Sequence, residues 1–129
     1  MKNLYQLLRV NHYIKNLIIF APLLFTREYE NIQNIENILT IFFIFCIIAS
    51  TVYIFNDLVD LKFDKLHPKK NKKPLANNKI KEKTAYQILI TFFLISLIII
   101  IKYQQFLIII ASYFILNILY SLILKKIFL

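Results

Sequence analysis

Three aspartates follow a long apolar stretch at spacings of three and four residues. Asp57, Asp60 and Asp64 come directly after the apolar run that ends at Phe55. At about 100° per residue, these spacings place the three carboxylates within a ~60° sector of one helix. Carboxylates this close repel one another, so the helix needs a compensating cation. Hard oxygen ligands on one face suit Mg²⁺, which often binds one or two carboxylates together with substrate phosphates. The spacing predicts a site for Mg²⁺ and a diphosphate.

A lysine-rich segment follows the aspartates. Four lysines lie between two prolines in the stretch 67–76, which begins with His67. Beside the carboxylates they form a site of mixed sign, in which the acids hold the metal and the amines hold phosphate. His67 is predicted either to contact a phosphate, as a donor or proton acceptor, or to cap the turn. The alternative for the whole cluster is a solvated helix end in which the carboxylates pair with lysines.

Long uncharged stretches predict the helices that position these groups. About 20 apolar residues are needed to cross ~30 Å of hydrocarbon. Residues 38–55, 84–101 and 103–124 carry no formal charge, whereas a weaker candidate over 4–26 is interrupted by Arg9, Lys15 and Pro22. The expected fold is all-α, a polytopic membrane helix bundle in one transmembrane domain over 1–129. Its four transmembrane helices are expected at about 4–26, 38–56, 84–102 and 103–124.

Composition limits the function classes. The 129 residues carry 16 Lys and Arg against 7 Asp and Glu, a net charge of +9, yet 59% are hydrophobic. That apolar content disfavours a soluble nucleic-acid binder, so no nucleic-acid partner is expected. The sequence has no glycine, which excludes a phosphate-cradling P-loop and a dinucleotide fingerprint. A single cysteine, Cys46, cannot form an intramolecular disulfide or a Cys-based zinc site.

The distribution of lysines predicts the orientation in the membrane. Nine lysines lie between positions 62 and 83, whereas residues 27–37 carry one arginine against three glutamates, and the third connection carries only Lys102. By the positive-inside rule, both termini and the Asp/Lys-rich segment 57–83 are expected in the cytoplasm. The chain is expected in the cell (inner) membrane, in contact with membrane lipids.

At the aspartate cluster and the lysine-rich segment that follows it, the chain resembles the UbiA superfamily of membrane prenyltransferases. The first Asp-rich motif of that superfamily, N-D-x-x-D-x-x-x-D, reads here as Asn56, Asp57, Asp60 and Asp64. The continuation is similar to the branch of decaprenyl-phosphate phosphoribosyltransferase, whose pattern is D-R-x-H-P-x-K-x-x-R-P-I-A. It reads here as Asp64, Lys65, His67, Pro68, Lys70, Lys73, Pro74, Leu75 and Ala76.

Both ends of the chain extend the resemblance. The patterns L-L-R-P-x-Q-W-x-K-N and A-P-L read here as Leu7, Leu8, Arg9, Lys15, Asn16, Ala21, Pro22 and Leu23. Near the C-terminus, N-x-x-Y-S-x-x-L-K reads as Asn117, Tyr120, Ser121, Leu124 and Lys125. The departures are Val10 and His12 for Pro and Gln, Lys65 and Lys73 for Arg, and Asn77 and Asn78 for a Ser-Gly pair. Lysine keeps the charge of arginine but not its bidentate fork, so a weaker grip on phosphate is expected.

The resemblance implies a bundle of nine membrane helices, with two Asp-rich motifs that face each other across a cavity. By this resemblance the chain is equivalent to the first part, and we expect it to be truncated, to be completed by the C-terminal half as a separate partner chain, or to be a piece of a longer sequence. Catalytic and Mg²⁺-binding roles are implied for Asp57, Asp60 and Asp64. Substrate-binding roles are implied for Arg9, Lys15, Asn16, Asn56, His67, Lys70, Lys73, Tyr120 and Lys125.

Two functions follow from the resemblance, and a third interpretation stays open because the second Asp-rich motif is not part of this sequence. The first is phosphoribosyl transfer from 5-phosphoribosyl diphosphate to a polyprenyl phosphate, with Mg²⁺ on the leaving diphosphate. The second uses the same metal site to ionise an allylic prenyl diphosphate, which an aromatic acceptor then attacks. The third is an inactive fragment or a non-catalytic membrane subunit. The residues around Lys15 and over 67–73 favour the first.

Overall fold

A computed structural model of the chain describes residues 1–104 and 107–119, and it is built from helices. No strand is present in these ranges, so the predicted all-α class is confirmed. The elements are α1 (Lys2–Leu7), a 3-10 helix (Val10–Phe20), α2 (Ala21–Thr26), a 3-10 turn (Glu28–Glu30), α3 (Ile32–Val59), α4 (Leu61–Leu66), a 3-10 turn (Lys70–Lys72), α5 (Glu82–Lys102) and α6 (Leu107–Leu119).

Within the described residues, two helices are long and apolar enough to cross a membrane. They are α3, with 28 residues, and α5, with 21 residues. They contain the predicted spans at 38–56 and 84–102. The shorter apolar helix α6 has 13 residues and falls inside the predicted span at 103–124. The end of that span, residues 120–124, lies outside the described residues.

The predicted first span, residues 4–26, is divided among three shorter helices. The division begins at Arg9, which takes a left-handed backbone conformation (φ 51°) between α1 and the 3-10 helix. A 3-10 helix rises about 2.0 Å per residue, so Val10–Phe20 covers about 22 Å. The six residues of α2 add about 9 Å. Together the two segments are long enough for a hydrocarbon core of ~30 Å.

The N-terminal stretch runs antiparallel to α3. Residues three apart share one face of a 3-10 helix, whereas residues four apart share a face of an α-helix. The eleven residue steps from Arg9 to Phe20, at about 2.0 Å each, therefore match the fifteen steps from Phe42 to Asp57 on α3, at about 1.5 Å each, over about 22 Å. The matched pairs along this seam are Arg9 with Asp57, His12 with Tyr53, Tyr13 with Ser50, Asn16 with Cys46, and Phe20 with Phe42.

Two apolar clusters hold the helices together. One joins α3 to α6 through Ile44, Ile48 and Ile110. The other gathers α1, α3, α4, α5 and the segment between α4 and α5, and its buried members are Leu7, Ile54, Leu61, Leu75, Ala76 and Ala85. Because Leu75 and Ala76 are buried in this second cluster, the lysine-rich segment before them is held against the end of α3.

Asn78 closes the lysine-rich segment with a left-handed backbone (φ 59°). The resembling branch has a Ser-Gly pair where this chain has Asn77 and Asn78. Asparagine is among the few residues that tolerate this conformation without the freedom of glycine. The side chain of Asn77 adds two hydrogen bonds, one to the carbonyl oxygen of Lys72 and one from the backbone N–H of Lys79. The side-chain amide of Asn77 thus stabilises a turn that contains no glycine.

Candidate functional site

The aspartate motif spans a break between two helices. Helix α3 ends at Val59, Asp60 adopts φ −85° and ψ −2°, and α4 begins at the next residue. The side chains of Asp57 and Asp64 are only 4% and 3% exposed. Among the described residues, no group of three or more His, Cys, Asp or Glu side chains is arranged to hold a metal. Asp57 and Asp64, two of the three predicted aspartates, lie close together on either side of this break, because both bond to the same ammonium.

Lys73 joins these two buried carboxylates. Its Nζ lies 2.7 Å from Oδ1 of Asp57 and 2.6 Å from Oδ2 of Asp64. Burial disfavours the charged amine, but the hydrogen bonds to both aspartates outweigh it and raise the pKa of Lys73 above its ordinary value. The ammonium is therefore fully charged at neutral pH. Asp57 and Asp64 thus pair with a lysine, as in the predicted alternative, but both carboxylates are buried and not solvated.

Arg9 adds a second cation to Asp57. Its terminal nitrogen donates to Oδ1 of Asp57 at 2.8 Å, and its guanidinium lies 4.6 Å from the ring centre of Tyr53. The left-handed turn at Arg9 starts the 3-10 helix at the level of Asp57. Asp57 and Asp64 thus face Arg9 and Lys73, and the formal charges of these four side chains cancel.

A polar cavity of about 470 Å³ opens beside Asp57. That volume lies within the ~300–1,000 Å³ typical of small-molecule sites. Cations outnumber acids in its lining, which favours an anionic ligand. The lining residues are Tyr5, Gln6, Arg9, Asn11, His12, Asp57, Lys69, Lys72, Lys73 and Pro74.

Several predicted site residues lie elsewhere. His67 caps the turn, because its Nδ1 accepts hydrogen bonds from the backbone N–H groups of Lys69 and Lys70 at 3.1 and 3.3 Å. Asn16 donates to the sulfur of Cys46 at 3.6 Å, well along α3 from the aspartates. The predicted residues that do not line the polar cavity are Lys15, Asn16, Asn56, Asp60, Asp64, His67 and Lys70. Tyr120 and Lys125 lie outside the described residues.

Within residues 1–104 and 107–119, one cavity-lining residue and one predicted site residue each have a buried polar atom without a hydrogen-bond partner. Nδ1 of His12 is buried at the wall of the polar cavity, and Oδ1 of Asn56 is buried next to Asp57 in the chain. Buried polar atoms are normally satisfied, so such atoms point to ligand contacts or water. His12 is a lining residue that the sequence analysis does not predict, whereas Lys69 and Lys72 belong to the four lysines expected to hold phosphate, although the family motif does not single them out. The signal for Lys69 and Lys72 is their spacing of three, which matches the 3-10 turn at Lys70–Lys72.

A second cavity, of about 260 Å³, is apolar and lies among α3, α5 and α6. It is lined by Thr51, Val52, Phe55, Leu89, Ile90, Phe93, Phe114 and Ile118. Phe55 and Asp57 are about 200° apart around α3. The apolar and the polar cavity therefore lie on nearly opposite faces of the same helix.

The two buried aspartates have the chemical groups that a divalent metal ion prefers as ligands. Both supply hard carboxylate oxygens, and both already bind one positively charged atom, so they are close enough to share a single ion. That position is held by Nζ of Lys73, which a metal ion would have to replace.

Comparisons with known proteins agree with the motif. The sequence pattern of the UbiA prenyltransferase family matches residues 17–129. Nodulation protein NoeC of Azorhizobium caulinodans is 32% identical over 76 residues, which cover 59% of this chain and 24% of that protein. Decaprenyl-phosphate phosphoribosyltransferase of Mycolicibacterium smegmatis is 31% identical over 84 residues, which cover 62% of this chain and 26% of that protein. The chain thus spans about a quarter of the length of these relatives. No solved structure is significantly similar.

Proposed function

Because the chain belongs to the UbiA prenyltransferase family and is an integral membrane protein, we propose that it binds a Mg²⁺-associated diphosphate for group transfer at the end of α3. The observation that carries this proposal is the polar cavity itself. Four cationic side chains, Arg9, Lys69, Lys72 and Lys73, surround it, and the buried Asp57 lies in its wall. A polyanion that brings its own divalent cation matches this mixture of charges.

We propose phosphoribosyl transfer as the reaction, with 5-phosphoribosyl diphosphate as donor and a polyprenyl phosphate as acceptor. The bond from C1 of the ribose to the diphosphate breaks, and a bond from C1 to an oxygen of the lipid phosphate forms, so no proton needs to be removed. When bound, Mg²⁺ supplies charge neutralisation on the leaving diphosphate. The similarity to a phosphoribosyltransferase supports this donor.

The residues of the chain would bind and orient the donor. Arg9 and Lys73 lie on Asp57 at the wall of the cavity, and Lys69 and Lys72 line it from the segment after α4. We propose that these cations hold phosphate oxygens while Asp57 and Asp64 hold the metal. Electrostatic groups that are fixed in place before the reaction stabilise developing charge most effectively.

The aspartates provide the test of this proposal. In Asp57→Asn and Asp64→Asn, a neutral amide cannot hold the metal, so the Mg²⁺-dependent part of donor binding should fall at least about tenfold. Binding of radiolabelled 5-phosphoribosyl diphosphate to the purified chain, with and without Mg²⁺, measures this effect. Transfer of the label to a polyprenyl phosphate is the second readout.

Lys102→Gln is the matched control, because Lys102 is a charged residue at the far end of α5, beside the ring of Tyr103. This variant should bind the donor as the unaltered chain does. Mg²⁺-dependent binding that survives in both aspartate variants would contradict the proposal. Preference for an allylic prenyl diphosphate would instead favour prenyl transfer, and binding of neither donor would leave a non-catalytic membrane subunit.

A further inference from the structure

The negative charges of the two buried aspartates are already neutralised by Arg9 and Lys73. Asp57 and Asp64 carry two negative charges, and Arg9 and Lys73 carry two positive charges at distances of 2.6 to 2.8 Å. A divalent ion that entered alone would leave an excess of positive charge in a largely buried place. Such an excess is costly because water cannot screen it there. The charge balance therefore opposes a free metal ion.

We propose that Lys73 is a built-in cation of this site, which a divalent metal replaces only when the metal arrives together with diphosphate. On replacement, the ammonium leaves the two carboxylates and turns into the polar cavity, where it binds the same diphosphate. The negative charges of the diphosphate then offset both the metal and the released ammonium. This inference rests on the proposed function, since it assumes a diphosphate ligand.

The position of Lys73 permits this exchange. Its side chain is 26% exposed, in contrast to the buried aspartates, and it lines the polar cavity while it bridges Asp57 and Asp64. The backbone at Lys73 is extended (φ −60°, ψ 144°) and follows the short 3-10 turn, so the side chain is not held inside a helix. Arg9 remains on Asp57 throughout, so this carboxylate keeps one cationic partner during the exchange.

Metal binding without substrate tests the inference. Equilibrium dialysis with Mn²⁺, as a probe for a divalent ion, should show weak binding to the unaltered chain and about tenfold tighter binding to Lys73→Gln. Addition of inorganic diphosphate should strengthen Mn²⁺ binding to the unaltered chain much more than to the variant. Lys79→Gln is the matched control, because it removes an exposed positive charge of the same segment that neither lines the cavity nor bonds to either aspartate. It should behave like the unaltered chain.

Two further readouts keep the test decisive. Mg²⁺ alone should raise the melting temperature of Lys73→Gln and leave that of the unaltered chain and of Lys79→Gln unchanged. If Lys73→Gln folds only in the presence of Mg²⁺, the inference is also supported. Mn²⁺ that binds the unaltered chain tightly without diphosphate would overturn it, as would a Lys73→Gln variant that Mg²⁺ neither binds nor stabilises. None of these measurements uses group transfer, so an absence of turnover would count against the proposed function alone.

Discussion

At the scale of single residues, Arg9 combines two contacts that lysine cannot make together. Its guanidinium donates to Asp57 while it lies over the ring of Tyr53. A planar guanidinium can stack on an aromatic face and still direct its N–H groups at a carboxylate, whereas an ammonium is a point charge. At Lys73 the geometry favours lysine. Its compact ammonium can bond to two carboxylates that come from different helices, α3 and α4. The identities of the two cations therefore follow from the geometry at each.

The role of Arg9 leads to a prediction about stability. Arg9→Gln removes a charged hydrogen bond to a buried carboxylate, and the free energy of unfolding should fall by about 1.5–3 kcal/mol. Arg9→Lys should recover only part of this loss, because it keeps the charge but not the stacking on Tyr53. Thermal unfolding in mild detergent measures the difference. Lys15→Gln removes an exposed cation on the 3-10 helix that follows Arg9; it is the control and should change little, and equal effects of the two glutamine variants would refute the role of Arg9.

The sequence predicts the aspartates better than it predicts the lysines. Asp57 and Asp64 are detectable because carboxylate spacing along a helix is a local property. The lysines at 69, 70, 72 and 73 are chemically equivalent, and the family motif singles out Lys70 and Lys73, whereas the structure places Lys69, Lys72 and Lys73 at the cavity. The burial of Leu75 and Ala76 and the cap formed by His67 are tertiary and turn contacts, and they decide which lysines face the cavity.

At the scale of helices and turns, the lack of glycine leaves left-handed positions to other residues. Arg9, Arg27 and Asn78 have φ values of 51°, 55° and 59°. Arg27 occupies the C-cap of α2, where glycine is the usual residue. No glycine or proline at Arg9 marks the helix break in the sequence. For this reason the sequence predicts a single span over residues 4–26. The contacts of Arg9 with Asp57 and Tyr53, which lie 48 and 44 positions away, are what hold it in place.

Arg27 offers a prediction at this scale. Arg27→Gly should raise the free energy of unfolding by about 1 kcal/mol, because glycine adopts a positive φ without the steric cost of a Cβ atom. Asn78→Gly should give a smaller gain, since asparagine tolerates the left-handed conformation and Asn78 follows a side-chain-stabilised turn. Lys79→Gly is the control, because Lys79 does not have a positive φ, and it should be neutral or destabilising. Melting temperatures of the three variants in one detergent provide the comparison; no gain for Arg27→Gly would exclude strain at that cap.

At the scale of the whole molecule, side-chain contacts show at which end of the helix bundle each connecting segment lies. Arg9 meets Asp57, and Lys65 lies 3.6 Å from Glu82 at the start of α5, so the segment between α4 and α5 shares an end with the N-terminus. Phe20 meets Phe42, and the end of α5 packs near Ile44 and Ile48. The connection from α2 to α3 and the end of α5 therefore lie at the opposite end. The two ends differ in charge in the way that the sequence predicts, with the lysines concentrated beside the polar cavity.

This arrangement leads to a prediction about orientation in the membrane. Positive residues remain in the cytoplasm during insertion, so the end that carries the lysine-rich segment should face inward. A cysteine introduced at Glu30, which is exposed between α2 and α3, should react with a membrane-impermeant maleimide added outside intact cells. A cysteine introduced at Asn71, exposed between α4 and α5, should react only after the membrane is opened. Cys46 is 4% exposed within α3, so the unaltered chain should give the background signal. Labelling of Asn71→Cys from outside, with protection of Glu30→Cys, would reverse the orientation and place the polar cavity on the outer face.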